Sequence, residues 1–214
     1  MFVVFEGGEG CGKSTQAHLL AEEFAKRGIS CLLTREPGGT PLAEAIRDLF
    51  KRVATHGDEP TPLAELHLVM AARAQHTLRV IAPALAQGRA VVCDRFLDSS
   101  YVYQGTRGGL AKAVIDAAAG PVLAGLIPTL TLILDLPEGI AQGRMTTRVE
   151  QGPDRLDSMA PRMHSAIAQG FLELARTNAP YPGGVVPKRV VINAQGTPGE
   201  VFVRVLQAVD GLSS

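Results

Sequence analysis

Apolar and polar residues come in blocks along this chain. Short apolar, β-branched runs at Met1–Phe5, Ser30–Thr34, Ala90–Asp94, Leu130–Leu136 and Arg189–Asn193 read as strands. Their nearly unbroken hydrophobicity marks strands covered on both faces, as in a parallel sheet. Between them, apolar positions recurring every three or four residues predict helices at Ser14–Arg27, Pro41–Val53, Thr61–Gln87, Lys112–Ala118, Pro137–Val149, Ala160–Asn178 and Pro198–Val209. In the first of these, Leu19, Leu20 and Phe24 share one face. The last begins with Thr197-Pro198-Gly199-Glu200, which supplies an N-cap, a proline at the first helical position and a capping-box glutamate. Strands and helices in alternation predict an α/β fold, a doubly wound parallel five-stranded sheet that binds ligands at the carboxyl ends of its strands.

A chain of 214 residues can bury one sizeable core. The expectation is a single domain, 1–214, carrying a lid at 137–157. Basic and acidic residues balance at 21 each, so no global field draws the protein to nucleic acid or to an anionic membrane, and any phosphate affinity must be local. Arginine outnumbers lysine 16 to 5, which suits bidentate phosphate clamps, although genomic base composition produces the same bias. Cys11, Cys31 and Cys93 are odd in number and lack CxxC spacing, which argues against a disulfide framework or a zinc site. His18, His56, His67, His76 and His164 show no zinc-ligand spacing and read as helix-face or loop residues. A strand beginning at residue 2 leaves no room for a signal peptide, and no apolar run approaches the ~18 residues of a membrane span. A cytoplasmic protein is expected.

The first chemical landmark is Gly7-Gly8-Glu9-Gly10-Cys11-Gly12-Lys13-Ser14, which fits GxxxxGK[ST] and runs on into Thr15. A β-rich strand precedes it and a helix follows, the setting a phosphate-binding loop requires. Such a loop turns backbone N–H groups inward around phosphate oxygens. Lys13 adds a point charge toward the β- and γ-phosphates, and the Ser14 hydroxyl can ligate Mg²⁺. A dinucleotide fingerprint fits worse, because GxGxxG starting at Gly8 needs a glycine where Lys13 stands.

Two further landmarks lie at strand ends. Thr34-Arg35-Glu36-Pro37-Gly38-Gly39-Thr40 precedes a helix containing Arg47, and Val91-Val92-Cys93-Asp94-Arg95-Phe96 closes an apolar run with a carboxylate and an arginine. A carboxylate at that point commonly holds Mg²⁺ through water, and the adjacent arginine can grip a phosphoryl group. Ser99-Ser100-Tyr101-Val102-Tyr103-Gln104-Gly105 then offers hydroxyls, phenols and an amide for a small polar ligand.

Taken in order and spacing, GGEGCGKST, TREPGGT, DRF and SSYVYQG resemble the bacterial thymidylate kinase family from residue 2 to about residue 176. The resemblance implies a P-loop nucleoside monophosphate kinase that transfers the ATP γ-phosphoryl to dTMP in dTTP biosynthesis, with Mg²⁺, a homodimeric assembly and a mobile lid. It implies that Glu9 binds the sugar 3′-hydroxyl near the acceptor phosphate, and that Arg35, Arg47 and Arg95 gather charge around that phosphate and the transferred group. Glu36 and Asp94 match acidic positions associated with the metal and its waters. Arg73 matches the arginine that hydrogen-bonds the thymine edge, and Ser100, Tyr103 and Gln104 match residues around base and deoxyribose. One position departs: the family usually carries a base-stacking phenylalanine four residues before that arginine, where this chain has Val69 beside Met70. Loss of an aromatic platform removes on the order of 1–3 kcal/mol of stacking, which bears on dTMP over dUMP.

The lid segment holds Arg144, Arg148 and Arg155 with glycines at 139, 143 and 152. Because Gly10 stands where some family members place a loop arginine, Arg148 or Arg155 is expected to reach the migrating phosphoryl group on lid closure. Arg144 and Arg148 also fit an i,i+4 pair on a wet helix face. Two rival functions stay open here. One is another nucleoside or nucleoside-monophosphate kinase, left open by Val69; the other is a nucleotide-driven switch or partition ATPase, disfavoured by glycine at position 8 and the lack of an NKxD motif.

Overall fold

The computed structural model describes residues 1–52, 59–146 and 161–212. Five strands, β1 (Phe2–Glu6), β2 (Cys31–Arg35), β3 (Ala90–Asp94), β4 (Leu130–Asp135) and β5 (Arg189–Asn193), form one sheet of order β2-β3-β1-β4-β5. Every pairing in it is parallel. The helices are α1 (Lys13–Lys26), α2 (Pro41–Arg52), α3 (Pro62–His76), α4 (Ala82–Ala86), α5 (Leu97–Ser100), α6 (Lys112–Leu123), α7 (Glu138–Thr146), α8 (Pro161–Arg176) and α9 (Pro198–Asp210).

The continuous apolar strands have the expected cause. Along β1 alternate residues point to opposite faces, and both faces are covered. Val3 and Phe5 pack with Leu20 and Phe24 of α1 and with Val201 and Val205 of α9. Phe2 and Val4 pack with Leu66 and Met70 of α3, Leu97 of α5 and Ile115 of α6. A smaller cluster of Val102, Tyr103, Ile133, Ile167 and Phe171 closes the region between β4 and α8.

Several boundaries differ from the sequence-based ones. The helix expected over 61–87 is interrupted by a π-helical turn, Thr77–Ile81, in which the Ala82 N–H bonds to the Thr77 carbonyl five residues back. Pro83 follows at once, and its missing N–H takes one rung out of the α-ladder there. Helix α6 runs to Leu123 instead of Ala118, carrying Pro121 within it, and stops where Ala124 turns left-handed at φ 49°. The 97–107 stretch, read only as a polar segment, is α5 followed by a second π-helical turn, Tyr101–Arg107. The α9 capping box is present, with Glu200 N–H donating to Thr197 Oγ1 at 3.3 Å and Thr197 N–H donating to Glu200 Oε2 at 2.7 Å. Of the segment 137–157, only its start is among the described residues, as α7. Arg148 and Arg155 lie outside them.

Strand order places the ends of β1, β2 and β3 side by side, with Phe5 and Arg35 both opposite Asp94. The segments that leave those ends carry the three chemical landmarks.

Candidate active site

The loop between β1 and α1 is shaped for an anion. Gly7 has φ 136°, and a Cβ there would fall 2.6 Å from the Leu134 carbonyl oxygen, so no side chain fits where the chain leaves the sheet. Helix α1 starts from Gly12 at φ 94° with no side-chain cap, leaving its first-turn N–H groups for a ligand. The Lys13 ammonium folds back over the loop, 2.6 Å from the Gly8 carbonyl oxygen and 3.6 Å from Cys11 Sγ. Ser14 and Thr15 open the helix and are exposed. Ser14 Oγ donates to Asp94 Oδ2 at 2.5 Å, while Asp94 Oδ1 is buried without a hydrogen-bond partner among the described residues. A hydroxyl beside a half-satisfied carboxylate is a hard-oxygen donor set suited to Mg²⁺. No group of three or more His, Cys, Asp or Glu able to hold a metal occurs among the described residues.

A second cluster forms around Glu9. Arg95, left-handed at φ 75°, aims its guanidinium back at the loop, donating to the Gly7 carbonyl at 3.2 Å, Ser99 Oγ at 3.2 Å and Glu9 Oε1 at 3.1 Å. It also lies 5.1 Å from the centroid of the Tyr103 ring, and the Tyr103 hydroxyl donates to Glu9 Oε1. Burial by itself would raise the Glu9 pKa, but His164, Arg95, Lys13 and Tyr103 outweigh it and lower it to about 2. Burial and the adjacent Glu9 push the Tyr103 phenol well above its ordinary range, so it stays a donor. His164 Nδ1 approaches Glu9 Oε2 at 3.7 Å, and both residues line a cavity of about 120 Å³ beside Gly8, Asp135 and Pro137.

The third cluster is inside the protein. Arg73, 1% exposed, donates from Nε to Glu36 Oε2 at 2.6 Å, from Nη1 to Ser100 Oγ at 3.0 Å and from Nη2 to the Phe96 carbonyl at 2.9 Å. Its guanidinium also packs on the Phe96 ring at 5.4 Å. Glu36 Oε1 faces His76 Nδ1 at 3.1 Å, and His76 Nε2 faces Thr34 Oγ1 at 2.7 Å. Burial opposes the Glu36 charge, yet Arg73 and His76 hold its pKa below the ordinary value. Gln104 donates to Glu65 Oε2 at 3.3 Å, where Arg107 also donates. Val69 and Met70 are buried close by on α3.

Arg35 and Arg47 stay with the 34–40 loop. Arg35 donates to Glu44 Oε2 at 3.0 Å and is exposed, while Arg47 donates to the Pro37 carbonyl at 3.1 Å. The described site residues read from the sequence thus fall into four neighbouring groups. Phe96 joins two of them, its carbonyl accepting from Arg73 and its N–H donating to Glu6 Oε1 at 2.8 Å.

Glu6, Glu65, His76, Asp98, Arg107, His164 and Arg189 escaped the sequence reading. Glu6 accepts from Ser99 N–H at 3.1 Å and Ser99 Oγ at 2.7 Å, and burial together with Asp98 raises its pKa to about 7. Asp98 in turn takes a bidentate pair from Arg189 at 2.7 and 2.8 Å. A charged residue at the end of an otherwise apolar strand was a usable signal for Glu6. His76 is a correction: it sits on a helix, but fully buried and bonded at both nitrogens.

A model described as thymidylate kinase matches residues 5–181. The chain belongs to the thymidylate kinase family. Its sequence is 45% identical to the thymidylate kinase of Synechococcus sp. (strain JA-2-3B'a(2-13)), covering 98% of this chain and 94% of that protein. Identity to the thymidylate kinase of Rhizorhabdus wittichii is 42%, over 99% of this chain and 97% of the relative. The crystal structure of thymidylate kinase from Ehrlichia chaffeensis superposes with a TM-score of 0.76 at 29% identity, covering 98% of each chain. Membership makes the chain an ATP-dependent phosphotransferase. None of its helices, among the described residues, is long and apolar enough to cross a membrane.

Proposed function

We propose how this family member divides the work of its reaction among its residues. The reaction is transfer of the γ-phosphoryl group of ATP to dTMP, giving dTDP and ADP. Phosphoryl transfer through a loose transition state depends on alignment and charge, with little covalent work for the protein. The 7–15 loop and Lys13 bind the ATP phosphates, with Ser14 and Asp94 as the residues that would hold Mg²⁺. That ion, when bound, offsets negative charge on the β- and γ-phosphate oxygens.

Arg95 faces the phosphate loop and is fixed at Gly7, Glu9 and Ser99, so its charge is already in place beside the transferred group. Glu9, ionised at neutral pH, is a ready acceptor for a sugar hydroxyl, and the Tyr103 ring beside it narrows the space around the deoxyribose. Arg35 and Arg47 take the acceptor phosphate. Arg73 and Ser100 read the base edge, with Gln104 alongside and Val69 supplying an aliphatic wall in place of a ring. A lid over 137–157 brings Arg148 or Arg155 to the migrating group.

The single observation that carries this reading is the join of the uncapped, lysine-bearing loop to the Arg95–Glu9–Tyr103 cluster on neighbouring strand ends. The chain works as a single lidded domain and as a homodimer. Leu63, Leu78 and Val114, 46%, 58% and 42% exposed on α3, the turn after it and α6, support a face for a second copy. The free thiols Cys11, Cys31 and Cys93 suit the reducing cytoplasm. An ADP-release assay with Mg²⁺ and ATP across dTMP, dUMP, dGMP and thymidine is expected to show the highest kcat/KM with dTMP. Absence of dTDP would overturn the reading, and a monomer by sedimentation equilibrium would remove the dimer.

A further inference from the structure

His76 holds a place that neither the phosphate chemistry nor the base contacts explain. It is the last residue of α3, 0% exposed, and its ring lies under the 34–40 loop. A Cβ on Gly39 would fall 2.5 Å from that ring and 2.8 Å from Thr34 Oγ1, so the glycine leaves the hollow that the imidazole fills. One ring nitrogen meets the end of β2 at Thr34, and the other meets Glu36, the carboxylate that grips Arg73.

The hydrogen bonds select one tautomer. Glu36 is held in its ionised form and can only accept, so the proton of His76 must sit on Nδ1. Nε2 is then the acceptor for the Thr34 hydroxyl at 2.7 Å.

We propose that His76 is a positioning residue for the nucleoside monophosphate: through Nδ1–H it orients Glu36 and hence Arg73, and through Nε2 it anchors the segment that carries Arg35 and whose Pro37 carbonyl accepts from Arg47. This rests on the reading of Arg73 as the group facing the acceptor's base. The route is specific to the acceptor. ATP is held by the 7–15 loop, which shares no hydrogen bond with His76.

The test compares three variants by steady-state kinetics. His76→Asn keeps an amide donor where Nδ1–H stands, His76→Gln puts its amide nearer the Nε2 position, and His76→Leu removes both bonds. Loss of a buried hydrogen bond to a charged group is expected to raise KM for dTMP about tenfold or more in the Leu and Gln variants. His76→Asn should recover most of that loss. KM for ATP should stay within about twofold of the parent in all three, since ATP binding draws on neither nitrogen. Imidazole ¹⁵N spectra of the parent should show His76 protonated on Nδ1. Equal effects in the Asn and Gln variants, a parallel rise in both KM values, or an Nε2–H tautomer would overturn the proposal. If His76→Leu fails to fold, the Asn and Gln pair still decides. Arg73→Gln separates the two levels: if it leaves KM for dTMP unchanged, the base-side reading falls. If it raises KM while the His76 variants do not, only the inference about His76 falls.

Discussion

On the side proposed for the acceptor, Arg73, Glu36, His76 and Ser100 bond one another away from water, whereas on the side proposed for ATP Ser14 and Thr15 stand exposed at the start of α1. The buried network is held by bonds among its own members, so its geometry is set by folding and contributes to folding. The donor loop is held by backbone conformation at Gly7 and Gly12, and its electrostatic work begins only when phosphate arrives. On the assignment proposed above, selectivity for the acceptor would be bound up with stability, and transfer rate much less so.

The sharpest way to break that contrast is Arg73→Met, which strands the Glu36 carboxylate in the interior. A loss of about 3–5 kcal/mol of stability is expected in urea titration. A loss below ~1 kcal/mol would show that the network is not a folding element. Lys13→Ala should do the reverse, lowering kcat by about 10²–10³ while shifting stability by less than ~1 kcal/mol, because among the described residues Lys13 Nζ bonds only within its own loop. Comparable damage to stability would merge the two regions into one.

Glu6 lies beneath the Arg95–Ser99 turn and gives a pH handle on the boundary. Its folded pKa of about 7 stands above the ordinary 4.5, so the folded state binds the extra proton between those values. Stability accordingly falls as pH rises through that window, on the order of 3 kcal/mol in total. Glu6→Gln cannot ionise. Relative to the parent it should gain stability between pH 5 and pH 8, and an unchanged difference at the two pH values would remove Glu6 as the cause. The smallest effect belongs to Arg35→Ala, whose exposed pair with Glu44 should contribute at most ~1 kcal/mol to stability while KM for dTMP rises. Should thermal melting place Arg35→Ala beside Arg73→Met, the distinction between the covered and uncovered halves is wrong.

What could be read from the sequence follows the range of the interactions. The strand, loop and helix around Gly7–Ser14 are local, because glycine conformation, lysine and hydroxyl act within eight consecutive residues. Strand ends carrying Arg35, Asp94 and Arg95 were legible from the switch of apolar run to charge. The partners of Arg73 were not: Glu36 is 37 residues away and Ser100 is 27. Only the strand order brings them together. The 97–107 helical stretch was missed because a π-helical turn shifts its side chains off a 3.6-residue repeat, and Val102, Tyr103 and Gly105 are weak helix formers.

The bidentate pair between Arg189 and Asp98 has a bearing on how the molecule is made. Asp98 stands directly before Ser99 and Ser100, and its buried charge finds its cation on β5, 91 residues later. Asp98 therefore gains its arginine only once the final strand is in place. A message truncated ahead of codon 189 would keep Glu9, Arg73 and Arg95 but leave the Asp98 carboxylate without its arginine.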